Sequence, residues 1–231
     1  MTPEDYRLQF WGELRDAIDQ MLSHPPGSYK PISYEQMYSA VYKCVCKQYS
    51  EQLYADLITH IRTRLVEMSK ILNDVSDNQF ISEFHKALVQ YFHALGGIVP
   101  IFTYMNRYAS DCVPANSISL LFRFYIEAKL HTDLKTELTK LFSCLVADKH
   151  VKRLVNLMVM CQSIPFSVPP DIMATLCRHL YTLNPDYANI HPGLFSTYLP
   201  NVRPRMTEDD LQVGTKTLFF TNSLITRPDG R

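Results

Sequence analysis

The groups in this chain that could do covalent or metal chemistry are six cysteines and eight histidines, and spacing decides what they can do. Cys44 and Cys46 stand two positions apart in a segment patterned as helix. Their side chains therefore point about 200° apart and cannot share a metal ion. Cys177 and His179 have the same separation and the same defect. His85 and His93 lie about two helical turns apart, too far for one ion without ligands from elsewhere. Structural thiols and surface imidazoles account for all of them. No glycine-rich phosphate loop and no kinase, hydrolase or zinc-enzyme motif occurs, and no cysteine sits in an acidic or histidine-rich context suited to ubiquitin transfer. The expectation is a protein with no catalytic residues, no metal and no cofactor.

Tyrosine offers a different chemistry, that of a ring and a hydroxyl presented together. Ser33 with Gln36 three residues later is a capping box, so a helix should begin there. In that helix Tyr34, Met37, Tyr38, Val41, Tyr42 and Val45 fall on one face. Each tyrosine hydroxyl must end in water or on a partner. The face is either a core stripe with its hydroxyls at the surface or a protein interface, where tyrosine is enriched.

The elements that would position this face are also patterned as helices. Thr2-Pro3-Glu4-Asp5 supplies an N-cap, an N1 proline and an acidic first turn. The first helix then runs to about Ser23, with Phe10, Leu14, Ala17, Ile18, Met21 and Leu22 inward, and His24-Pro25-Pro26-Gly27 breaks it. Ser50 should cap a long third helix with the stripe Leu53, Leu57, Ile61, Leu65, Met68 and Leu72. Ser76-Asp77 should cap a fourth with Phe80, Phe84, Leu88, Tyr91 and Leu95. Gly96-Gly97 is expected to end that helix, with Val99 to Arg107 forming a fifth. Trp11, Leu14, Leu57, Ile61, Phe84 and Leu88 are the expected centre of the bundle.

The pattern resumes at Phe124 with Ile126, Leu130, Leu134, Leu138, Leu141, Phe142 and Leu145. A further apolar helix follows over Val151 to Cys161, and Ile164-Pro165-Phe166-Ser167-Val168-Pro169-Pro170 interrupts the chain. Asp171 opens a helix with Ile172, Leu176, Leu180 and Leu183, and Asn184-Pro185-Asp186 starts a short segment with Ile190, Leu194, Phe195 and Tyr198. After Pro200 periodicity fades, and 201–231 reads as a disordered tail.

Composition sets the frame. Seven glycines among 231 residues, with abundant Leu, Ala, Met, Glu, Lys and Gln, favour helix throughout. The 23 basic and 23 acidic side chains cancel, and the absence of a basic patch argues against nucleic acid as a partner. No apolar run spans a bilayer and no signal peptide opens the chain, so no membrane partner is expected. Cysteines mostly inside apolar helical patterns suggest free, buried thiols in a reducing cytoplasmic or nuclear compartment.

The order Trp11, Leu14, Ala17, Ile18, then the tyrosine helix, then Glu51-Gln52-Leu53-Tyr54 and Leu57, resembles the opening of a cullin N-terminal domain. Ile101-Phe102-Thr103-Tyr104-Met105-Asn106-Arg107 resembles the cullin fifth-helix signature. Pro31 to Gln36, Val41 to Cys46, Phe124 to Leu130 and Leu180 to Leu183 resemble a branch of the family associated with a cyclin-dependent kinase and with passage from G1 into S phase. The likeness covers roughly residues 4 to 201.

The resemblance implies an all-α, cullin-repeat-like helical bundle without sheet, one full repeat plus the start of a second. It divides the chain into a first repeat over 1–107, an apparent insertion or loop over 108–123, a continuation over 124–200 and the tail. The 16 residues Tyr108 to Arg123 are either a surface excursion or retained intronic sequence. In cullins the second and fifth helices hold a BTB-fold substrate adaptor, which carries across to Tyr34, Met37, Tyr38, Val41, Tyr42, Tyr104 and Arg107. The chain lacks the length for a RING-binding half or a modifier-accepting lysine domain. Two functions are implied: a non-enzymatic cell-cycle regulator that binds and promotes a cyclin-dependent kinase, or a truncated cullin that binds BTB-fold adaptors or ubiquitin-ligase subunits in ubiquitin-dependent protein catabolism.

Overall fold

In the computed structural model, the described residues are 2–25, 28, 31–103, 133–164 and 167–199. They are helical, with no strand among them. In order they form α1 (Pro3–Asp5), a π-helical segment (Tyr6–Trp11), α2 (Gly12–Ser23), α3 (Tyr34–Cys46), α4 (Ser50–Asp74) and α5 (Asp77–Thr103). Then come α6 (Leu134–Phe142), a second π-helical segment (Ser143–Ala147), α7 (Asp148–Gln162), α8 (Pro170–Leu183), a 3₁₀ turn (Pro185–Asn189) and α9 (Pro192–Tyr198). The chain divides into two compact units, Met1–Ile172 and Met173–Arg231. The expected boundaries at 107 and 123 and the tail from 201 lie outside the described residues.

The first unit is organised on α5, against which α2, α3, α4, α6 and α7 all pack. Phe80, Phe84, Leu88, Tyr91, Leu95 and Ile98 are fully or almost fully buried, as are Leu53, Leu57, Ile61 and Leu65 of α4. These are the stripes expected from the period of 3.6. Met68 is the exception in α4. It is half-buried, and Ser69 takes the inward position.

Gly96-Gly97 does not end α5, contrary to the sequence expectation, and no fifth helix starts at Val99. One helix runs from Asp77 to Thr103 with Pro100 inside it. The reason lies in packing: a Cβ on Gly97 would stand 2.6 Å from the Met21 sulfur and 3.0 Å from the Tyr34 hydroxyl oxygen. Gly97 is a point where the ends of the Met21 and Tyr34 side chains come close to α5 and would have to shift for a Cβ. Pro100 has no N–H for the Gly96 carbonyl, and that lost bond is tolerated within an otherwise buried helix.

Trp11 is likewise not central. It is half-buried with its ring edge-on to His60, centroids 6.1 Å apart, and Phe10 is half-buried under the Lys43 ammonium. Tyr6 occupies the core instead, 2% exposed, stacked on Tyr49 at 4.9 Å and donating its hydroxyl hydrogen to the Asp56 carboxylate at 2.7 Å. The π-helical segment over Tyr6–Trp11 explains the exchange. Wider turns rotate the inward face relative to a regular helix. Burial and that hydrogen bond push the Tyr6 hydroxyl's pKa far above its usual value.

The second π-helical segment has the same effect. It joins α6 to α7 without a break, turns Leu145 half out and puts Val146, Ala147 and His150 inside. His150 is 2% exposed, its ring 5.8 Å from Phe80 and 6.5 Å from Phe84. Its Nε2 lies 3.0 Å from Ser69 Oγ and 3.2 Å from the Ser69 carbonyl oxygen. One turn on, Arg153 stands over the Phe80 ring and donates to the carbonyls of Leu72 and Val75 and to Asp77. α7 thereby fastens the α4–α5 connection.

In the second unit, Met173, Leu176, Cys177 and Leu180 of α8 are buried. Asn184 caps the 3₁₀ turn by accepting from the Asp186 N–H, and His191 caps α9 through the Leu194 N–H. The cysteines are less buried than expected. Among the described five, Cys44 and Cys177 are buried, Cys46 and Cys161 half-buried and Cys144 exposed. Cys112 lies outside the described residues.

Two predictions follow from α7. Burial lowers the pKa of His150 below its usual 6.5, so the unfolded chain takes up this proton at higher pH than the folded one. Stability from this group is complete above about pH 6.5 and is lost as pH falls below it. The melting temperature should drop between pH 7 and 5, and the drop should shrink in His150→Gln. Arg153→Ala should cost about 2 kcal/mol by chemical denaturation, because partly buried carbonyls lose a charged donor, and Arg153→Lys should recover only part, lacking the fork.

Candidate protein-interaction site

α3 starts where expected, with one half of the capping box formed: Ser33 accepts from the Gln36 N–H at 3.4 Å, with Glu35 in the first turn and Lys43 in the last. Its single apolar face then splits in two. Met37, Ala40, Val41, Cys44 and Val45 are 6, 3, 1, 0 and 5% exposed, making the side that packs on the bundle. Tyr34, Tyr38 and Tyr42, at i, i+4 and i+8, form a row along its edge. Tyr34 is 38% and Tyr42 45% exposed, with Tyr38 half-buried between them. The core reading holds for Met37, Val41 and Val45, while the three tyrosines lie along the surface. Met37 and Val41, expected as partner contacts, are core residues; the tyrosines alone reach the surface.

The tyrosine row is held from several sides. The rings of Tyr34 and Tyr38 lie 6.3 Å apart, tilted by 41°. The Tyr42 hydroxyl is hydrogen-bonded to the Cys46 thiol, and this bond raises its pKa above the usual value. At the Tyr34 end, a cleft is lined by Met21, Phe92, His93, Gly96 and Gly97. At the Tyr42 end, a hollow is lined by Asp5, Phe10, Lys43, Cys46 and Lys47. The row spans about 12 Å between the two depressions, at 1.5 Å per residue over eight residues. Half-exposed aromatic rings with polar tips beside concave ground are what protein recognition uses for its anchors.

The remaining expected positions, Tyr104 and Arg107, lie outside the described residues. Sequence reasoning missed Met21 and Gly97, which set the floor under Tyr34. Their signal was present in Gly96-Gly97, but a glycine pair reads as a helix end unless its neighbours in space are known.

Burial pushes the Cys44 thiol up to about 12, the direction of an inert structural cysteine. Among the described residues no group of His, Cys, Asp and Glu could hold a metal ion, and no helix is long and apolar enough to cross a membrane.

Residues 11–179 match the family model for the cullin alpha solenoid domain. The chain belongs to the cullin family. A rat protein named "CDK2-associated and cullin domain-containing protein 1" is 40% identical over 211 residues, which is 91% of this chain and 48% of that protein. Cullin-3A and Cullin-3B of Arabidopsis thaliana are 28% and 26% identical over 102 residues, 44% of this chain and 14% of each. The chain thus spans about half the length of the rat relative. An all-α cullin solenoid, as the resemblance of the opening helices implied, is the fold.

The partition of α3 in this cullin-family chain is open to a direct check. Tyr42→Arg should leave the melting temperature within about 2 °C of the parent, because a charge is tolerated on open surface. Val41→Asp should cost on the order of 4 kcal/mol or prevent folding, because it buries an unpaired charge. Equal destabilisation by both would return the tyrosine row to the core.

Proposed function

We propose that this chain is a non-enzymatic cullin-type interaction module that binds a cyclin-dependent kinase and promotes its activity at the G1/S transition, in the cytoplasm or nucleus. The observation that carries this reading is the 40% identity over 91% of the chain to a relative whose name records association with CDK2. An all-helical module without a metal-binding cluster among its described residues suits action by contact. Stimulation then arises because the module binds the active form of the kinase more tightly than the inactive one, shifting the population.

A second reading has its own support. The half-exposed row Tyr34, Tyr38 and Tyr42 is the part of α3 that, by resemblance to cullins, would meet a BTB-fold adaptor. In that reading the chain is a scaffold that engages adaptors or ubiquitin-ligase subunits and competes with cullins for them.

One experiment separates the two. Purified chain is titrated into a recombinant cyclin-dependent kinase 2–cyclin complex and, in parallel, into a purified BTB-domain adaptor, with binding and peptide-phosphorylation rate recorded. The kinase reading expects micromolar or tighter binding and a several-fold higher phosphorylation rate. Truncating Tyr38 or Tyr42 to Ala should weaken whichever partner uses the row by about 2 kcal/mol, or roughly thirtyfold. Binding to the adaptor alone overturns the kinase reading, and binding to neither overturns both.

A further inference from the structure

Lys43 and Lys47 stand one turn apart at the end of α3, both exposed, on the rim of the hollow at the Tyr42 end of the tyrosine row. The Lys47 N–H still donates to the Lys43 carbonyl at 3.2 Å, so the two side chains share a face and can reach one guest. The hollow measures about 390 Å3 and has aromatic ground in Phe10 and Tyr42. A single exposed lysine would mean nothing. Here two of them edge a concavity that adjoins half-exposed rings.

The charges of the hollow do not cancel. Neither lysine stands against a carboxylate among the described residues. The Lys43 ammonium lies 5.6 Å from the centre of the Phe10 ring, a contact that orients it without neutralising it. The C-terminus of α3 offers roughly half a negative charge, less than two cations require. Asp5 is the acid of the hollow, and its carboxylate already accepts from the Thr2 N–H at 2.8 Å in the cap of α1. The lining therefore carries two positive charges and one negative, a balance that suits one carboxylate. A doubly charged phosphate would gain less, because Asp5 repels it twice as strongly.

The other end of the row is different. The cleft beside Tyr34 has no lysine or arginine in its lining, and Glu35 stands in the first turn of α3. A partner laid along the tyrosines thus meets cations at one end only.

We propose that the Lys43–Lys47 hollow receives an aspartate or glutamate side chain from the protein that covers the tyrosine row, and that this pairing sets the direction in which the partner lies along α3. The proposal deepens the use of the row put forward above and rests on it. Charge complementarity of this kind acts on orientation and on the rate of encounter more than on affinity.

The test uses the full chain and short peptides labelled with an uncharged dye. The probe carries two glutamates beside a leucine in a background of serine and glutamine. One control replaces both glutamates with glutamine, the other with lysine. The expected result is saturable binding of the glutamate probe, weakened by added salt. Binding should be about fivefold or more weaker for both controls and for the double variant Lys43→Gln, Lys47→Gln, whose melting temperature matches the parent. In the charge-reversed variant Lys43→Glu, Lys47→Glu the lysine peptide should bind best, an inversion that a merely structural role for the lysines would not produce. Absent binding of the glutamate probe, equal binding of the glutamine control, or no inversion in the reversed variant overturns the proposal. Self-association of the parent that is lost in the Gln variant would give the hollow to a second copy, and overturns it too. Failure of the row itself is read separately. If Tyr38→Ala leaves kinase and adaptor binding unchanged while the peptides behave as expected, the carboxylate site stands and its orienting role falls.

Discussion

The continuity of α5 through Gly96, Gly97 and Pro100 is the constraint on which the rest of the first unit depends. Met21 at the end of α2 and Tyr34 at the start of α3 both come within about 3 Å of where a Cβ on Gly97 would stand. There α5 continues through Gly96, Gly97 and Pro100 as one helix. A side chain at 97 would displace the ends of the Met21 and Tyr34 side chains. Continuity gives α5 enough length to bury residues from Phe80 to Phe102 and to serve as the common support of five other helices.

From that support the division of α3 follows. Its inward side, from Met37 to Val45, is closed against the bundle, and geometry leaves the i, i+4, i+8 tyrosines at the edge. The hydroxyls make this arrangement favourable: a ring can cover apolar ground while its tip stays in water or on a neighbour such as Cys46. At the other end of the unit, α7 locks the α4–α5 connection through His150 and Arg153, which keeps the long pair of helices in register.

Much of the fold was legible in the residues because local and tertiary signals agreed. The stop after Ser23, the start after Ser33 and most of the stripes of α4 and α5 are where the breaker residues, the Ser33 cap and a 3.6-residue period place them. Ser50, by contrast, is the first residue of α4 rather than its cap, and α8 opens at Pro170, one residue before Asp171. The departures in burial share a cause. Trp11, Leu145 and Met68 were assigned inward by a constant period, yet π-helical turns at Tyr6–Trp11 and Ser143–Ala147 shift the face, and Ser69 turns in to meet His150. Backbone sequence carries no simple mark for such turns. Gly97 was misread because its role is set by residues about 60 to 75 positions away. The tyrosines were recognisable as an amphipathic face, but which of the six residues stay outside depends on where α5 stands, and only the assembled bundle fixes that.

Amide hydrogen exchange across α5 tests the central claim most directly. A continuous helix from Asp77 to Thr103 predicts that the amides of Gly96, Gly97, Ile98 and Val99 exchange as slowly as those of Leu88 and Tyr91, opening only with the whole unit. Fast exchange confined to Gly96 through Val99, with slow exchange on either side, would mean that the helix breaks at the glycine pair, and would contradict the account.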